Sequence, residues 1–255
     1  MTEPSPEAAK KKPLPDAPLE QLIHDHSPEV LIAVAGNSRL TEDLALALLN
    51  RRDLPAKALE ELNKNGAIIK HRKVRIAIVM HPRTSRHVSI PAIRNLYAFE
   101  LMQVALFPAV AADVKRAAEE TLIGRLKTIS SGERYGLAKQ SSGRVAATLL
   151  LDPEERIMRA ALANPHMTEA LIVGALRSDD ATEILVFAVC EDDKWSRRNE
   201  IKMVLLGHEK TPFAKTAQFA AELPPRMIKD VLRNTRLRED VRNYLLSVVA
   251  EKSSS

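Results

Sequence analysis

Aromatic side chains are scarce in this chain: Phe, Trp and Tyr together make up 4% of its 255 residues, with a single Trp. A β-sheet core draws on aromatic and β-branched residues in alternation, and that pattern is missing. Glycines number only 8, too few for a protein built mainly from turns. One cysteine, Cys190, excludes an intramolecular disulfide framework and fits a reducing compartment. No apolar run reaches about 18 residues, so a membrane span is not expected. Residues 1–18 carry Pro, Glu and Lys where a secretory signal would be apolar, and read as a disordered N-terminal arm. Walker, GxGxxG, HExxH, CxxC and GxSxG motifs are all absent, so no catalytic residue, cofactor or metal site is expected. What is present is Ala, Leu, Ile and Val in helical spacing. The expectation is a cytoplasmic, all-α protein.

The chain repeats itself. Displaced by 127 positions, Asn37 falls on Asn164, Thr41 on Thr168, Leu44 on Leu171 and Leu49 on Leu176. Without a gap, Asp53 then meets Asp180, His81 meets His208, Thr84 meets Thr211, Leu96 meets Leu223 and Val104 meets Val231. Stacked helical arrays repeat in this way because each unit shelters its neighbour's apolar side. Two related halves, about 27–124 and 154–251, are expected within one array over 19–252, followed by a frayed tail at 253–255. The interval from Asn37 to His81, 44 residues, lies in the range of about 40–47 for HEAT or armadillo units. An extra helix near Pro55–Lys64, and again near Ala181–Glu191, would fill it. The stretch Arg125–Leu151 reads as one further helical pair between the halves.

Turn chemistry is consistent along the chain. Asn37, Asn164 and Asn234 stand where a helix would end on a left-handed residue. Pro82 and Pro165 prevent continuation. Thr41, Thr84, Thr168 and Thr211 occupy expected N-caps, with Pro212 at the first helical position after Thr211. Asp152-Pro153-Glu154-Glu155 reads as another capped start, and Ser27-Pro28 as its counterpart. Pro91 interrupts a helical pattern whose duplicate has Gln218, and predicts a kink or a late helix start.

The segment Val74-Arg75…His81-Pro82-Arg83-Thr84 follows a V-R-x-A-x-x-x-[HN]-P-x-T pattern, and Ala160…Asn164-Pro165…Thr168 repeats its A-x-x-x-[HN]-P part with Thr one place later. This resembles the bacterial leucine-rich-repeat-variant and HEAT-like helical repeats, over roughly Ser27 to Ala250. The resemblance implies an α-solenoid with internal duplication and says little of function, because such repeats scaffold many partners. The chain departs from the pattern in its uneven spacing, and in Gly or Glu where a turn proline would stand.

Charge is the main functional signal. The formal net charge is +5, yet no carboxylate occurs between Glu61 and Glu100. That stretch holds Lys70, Arg72, Lys73, Arg75, Arg83, Arg86 and Arg94, the candidate partner-binding residues. Cations crowding the start of a helix oppose its dipole, so solvent and salt or an acidic partner must offset them. A weaker echo in the second half is Arg197, Arg198, Lys202, Lys210 and Lys215, interrupted by Glu200 and Glu209. Three readings are open: a solvated helix face, a surface for an acidic protein or peptide, and a phosphate-binding surface for nucleic acid. No aromatic interleaves the densest basic run, which counts against base stacking. Some HEAT-like enzymes repair alkylated DNA with tryptophan and aspartate at the base. Trp195 has Asp192 and Asp193 beside it, but a tryptophan pinning a loop accounts for this equally. His24 and His26 are spaced poorly for a shared metal. His81 and His208 stand where other copies have Asn, which points to hydrogen bonding. The expectation is a non-enzymatic interaction scaffold or adaptor, with a nucleic-acid-binding protein as the alternative.

Overall fold

Most helices of this fold are too short to stand alone. The structure, a computed structural model, describes residues 17–235 and 237–254, and among these every regular element is a helix. In order they are α1 (Leu19–Leu22), α2 (Pro28–Ala35), α3 (Glu42–Leu49), α4 (Ala56–Lys64), α5 (Arg72–Met80), α6 (Arg86–Ile93), α7 (Ala98–Leu106) and α8 (Ala112–Arg125). There follow α9 (Ser131–Gln140), α10 (Gly143–Leu149), α11 (Glu155–Leu162), α12 (Glu169–Leu176), α13 (Glu183–Glu191), α14 (Asn199–Gly207), α15 (Phe213–Glu222), α16 (Pro225–Asn234) and α17 (Glu239–Ser254). Isolated helices below about 12–15 residues are marginal in water, so packing must supply the stability here. No helix is long and apolar enough to cross a membrane among the described residues. Residues 1–16 of the expected arm, and Ser255 of the expected tail, lie outside those described. Pro18 is already the N-cap of α1, and α17 runs on through Ser254.

The chain divides into two compact units, Met1–Leu122 and Ile123–Ser255. In the first, α2 packs on α4, α3 on α5, and α5 on both α6 and α7. In the second, α10, α12, α14 and α16 contact one another in turn, while α9, α11 and α13 form another series. Alternate helices therefore stack, and the alternate helices in contact begin 24 to 30 residues apart. The stacking element is a helix pair. The expected 44-residue unit spans three helices, because it was measured between like turns that lie on opposite sides of a pair. Helix starts also recur at the interval of the sequence repeat. Those of α2, α3, α4 and α5, at Pro28, Glu42, Ala56 and Arg72, match Glu155, Glu169, Glu183 and Asn199 of α11 to α14.

Packing of short helices leaves many carbonyl groups unpaired at their C-terminal ends. Side chains from the next pair satisfy them. Asn164, 2% exposed, donates to the carbonyls of Ala138 (2.8 Å) and Ser141 (3.2 Å) at the end of α9, while its Oδ1 accepts from His166 N (2.7 Å). Asn65 does the same to Ala35 (3.0 Å) and Asn37 (2.9 Å), accepting from Ala67 N (3.1 Å). His81 Nε2 meets the Arg51 carbonyl at 2.9 Å and its Nδ1 accepts from Arg83 N. His208 Nδ1 accepts from Lys210 N, and its ring bonds the Leu176 backbone. Trp195, 4% exposed, donates to the Leu162 carbonyl (3.3 Å), and Asp192 accepts from the Trp195 and Lys194 amides. Lys252 caps the end of α15 through Ala220, Ala221 and Leu223. Asp192 and Trp195 thus form one more loop-pinning unit.

Several local expectations are corrected. No residue described has a positive φ, so Asn37 and Asn164 end their helices through side-chain bonds and not through a left-handed backbone; Asn234 closes α16 as its last residue. Thr41 and Thr168 are N-caps, accepting from Leu44 N and Leu171 N. Thr84 and Thr211 are not. They turn backward and donate to the carbonyls of Ile78 (2.5 Å) and Leu205 (2.7 Å), while Ser85 and Pro212 are the cap residues. Likewise α11 starts at Glu155 after Glu154, and Asp152 instead accepts from Glu154 N. Pro91 does not delay α6, which begins at Arg86 in register with Phe213 of α15. It shortens the helix, which ends at Ile93 in three-residue turns through Arg94, Asn95 and Leu96.

Removing one of these side-chain bridges tests their weight. Asn164→Ala strands two carbonyls and one amide, and should cost about 1–3 kcal/mol, read from the urea midpoint. His208 makes a second test. Burial, then Lys210, hold its imidazole below the ordinary 6.5, so the fold retains the neutral ring. Stability is complete above 6.5 and is lost as the pH falls through the folded value. The melting midpoint should therefore drop on acidification below 6.5, and His208→Asn should flatten that dependence in parallel melts.

Candidate interaction surface

The candidate residues of the first unit are arranged around α5. Lys70 ends the turn before it; Arg72, Lys73 and Arg75 lie in its first two turns. Arg83 follows it, Arg86 opens α6, and Arg94 is the C-cap of α6. The nine residues of α5 span roughly 13 Å, so Lys70–Arg75 and Arg83–Arg86 stand at opposite ends of a helix. One basic segment in sequence becomes two groups in space.

Neighbouring helices supply the carboxylates that the segment lacks. The Arg72 guanidinium binds Glu100 of α7 through Nη2 (2.9 Å) and Nε (3.1 Å), and stacks 3.8 Å above the Tyr97 ring. Glu100 also accepts from Tyr97 N (2.7 Å), so one carboxylate caps α7 and anchors Arg72. Glu42 of α3 meets His71 at 3.0 Å, and Glu60 of α4 meets His87 at 3.4 Å. Arg86 pairs with Asp113 of α8 at 2.8 Å. Arg83 donates to the Asp53 carbonyl (2.9 Å), as its counterpart Lys210 does to Ala181 (2.5 Å), which gives it a stapling role. Asp53 itself is held down to about 2, chiefly by its hydrogen bond from Arg51. The cation crowding at the start of α5 is thus offset in part from within the fold.

Lys70, Lys73 and Arg75 are left without an ion-pair partner among the described residues. Lys70 and Lys73 are exposed and Arg75 is half-buried. Beside Lys73 on α5 lie Ile76 and Met80, each half-buried, while Val74 and Ile78 are buried in the core and Ala77 packs against it. Tyr97, 58% exposed, adds an aromatic that the linear sequence had seemed to deny this surface. In the second unit the weaker basic echo is largely consumed. Lys202, its side chain 9% exposed, pairs with Glu222 at 2.5 Å, and Lys215 pairs with Glu191 at 2.7 Å. Cys190 is buried, its thiol pushed up to about 11 by desolvation, and acts as core. No group of three or more metal-ligating side chains occurs among the described residues.

Sequence reasoning missed the carboxylates at 42, 60, 100 and 113, because the contacts that bring them in are made by stacking and not by chain proximity. Comparison of the chain with protein-family models, with curated proteins and with solved structures gave no match. Removing each partner in turn probes the pairing of Arg72. Glu100→Ala removes both its anchor and the α7 cap, and should cost about 1–2 kcal/mol in chemical denaturation. Arg72→Ala, which leaves the cap in place, should cost less.

Proposed function

We propose that this protein is a non-enzymatic interaction scaffold of the cytoplasm, each unit a short HEAT-like α-solenoid and the two derived from one another by duplication. Alternate-helix stacking and the recurrence of helix starts at the sequence interval support the architecture. Its partner is an acidic protein segment that lies along the start of α5. The observation that carries this reading is the set Lys70, Lys73 and Arg75: three cations on one short stretch, left without an ion pair while Glu42 and Glu100 serve His71 and Arg72. Exposed like charges brought together in this way gain by meeting a complementary surface. Arg72 and Tyr97 flank them as a rigid, stacked edge.

The test is fluorescence anisotropy with a labelled glutamate-rich peptide, run beside random duplex DNA. Wild type should bind the peptide at low salt, and Lys70→Glu/Lys73→Glu/Arg75→Glu should weaken it roughly tenfold or more. Absence of peptide binding sinks the reading. Retention of DNA with a steep inverse dependence on salt would transfer the same residues to phosphate binding.

A further inference from the structure

We propose that the second unit carries a separate docking groove for a lysine- or arginine-rich segment of a partner protein. The inference stands independently of the acidic-segment reading, since it rests on different residues in a different unit. A groove of about 590 Å³ runs over α14 between the ends of α12 and α16. Its rim holds four carboxylates, Asp179, Glu200, Glu209 and Asp230. None has an ion-pair partner among the described residues. Of the two rim cations, Lys210 is tied down with its amine on the Ala181 carbonyl, leaving Arg177. His208, also on the groove, is kept neutral by burial.

The floor is apolar. Met203 and Val204 lie half-buried on the outward row of α14, one turn beyond Glu200. The next place in that row is Gly207, and a Cβ there would sit 2.7 Å from Thr235 Cγ2, so the end of α16 closes directly over it. A concave apolar floor with acidic walls fits an amphipathic basic segment, its apolar residues on Met203 and Val204 and its cations facing the rim.

The internal repeat shows that this acidity is a departure and not a property of the helix pair. At the positions matching Asp179 and Glu200 the first unit has Arg52 and Lys73, while Gln103 and Pro82 match Asp230 and Glu209. The same outward row of the first unit is therefore basic where that of the second is acidic. The carboxylates repel phosphate, which sets nucleic acid aside as an occupant. Divided between α14, α16 and the turns that follow α12 and α14, they form no metal-binding group among the described residues.

The experiment uses the full chain and a labelled amphipathic Lys/Leu peptide, followed by anisotropy at low salt. Wild type should bind it, and Glu200→Lys/Asp230→Lys should weaken binding roughly tenfold or more. Asp193→Lys/Glu183→Lys makes the same change of net charge away from the groove and should alter affinity by less than about twofold. Circular dichroism checks the fold; if the reversal disturbs it, Glu200→Gln/Asp230→Asn replaces it with a smaller loss. The Lys70→Glu/Lys73→Glu/Arg75→Glu variant should bind this peptide as wild type does, so failure here and failure of the acidic-segment reading are separable. No binding, or equal loss in groove and control variants, overturns the proposal. So does concentration-dependent self-association abolished by the groove variant, since a second copy would then be the occupant.

Discussion

The unpaired carbonyl groups at helix ends are the constraint on which this fold depends. Helices of seven to ten residues expose a large share of their backbone polar groups at their termini, and burying those ends unpaired would cost more than the packing returns. The solution is a side chain placed just after one helix that reaches back to the end of the helix stacked beside it. Asn65, Asn164, His81, His208 and Trp195 all do this, each with a local amide or carboxylate completing the turn. Such bonds fix both the distance between stacked helices and their register. They explain why residues as different as Asn, His and Trp can stand at like places: what matters is a donor with the right reach.

The same rule gives the histidines their place. Both His81 and His208 use Nδ1 to accept a backbone amide and present the other ring nitrogen to a carbonyl. Each ring therefore serves as a cross-link between stacked helices. Arg83 and Lys210 extend the pattern with charged donors, and their positive charge is spent on carbonyl groups inside the array.

Once those uses are subtracted, the electrostatics of the chain become simpler. The first unit keeps Lys70, Lys73 and Arg75 unneutralised near the stacked pair Arg72 and Tyr97; the second keeps Asp179, Glu200, Glu209 and Asp230 around a groove that Met203 and Val204 line. A modest net charge of +5 conceals this contrast, because it sums groups of opposite sign placed around α5 and around α14.

Helix type and order were legible from residue spacing and from the 127-residue recurrence, because a buried row at i, i+3 and i+4 and the residues that end a helix are local signals. So was the role of Thr41 and Thr168, whose caps are made within one turn. The reach of Thr84 and Thr211 back to Ile78 and Leu205 was not, nor was the tolerance of Pro91 inside α6, since both depend on how a loop settles after its helices have packed. The candidate cations could be listed from sequence, but their division could not. Coulombic pairing depends on distances of a few ångströms, and stacking brings Glu42, Glu100 and Asp113 from remote parts of the chain to His71, Arg72 and Arg86. Sequence alone determined that this chain is an array of short helices. Only the tertiary structure decided which of its charges are still unspent.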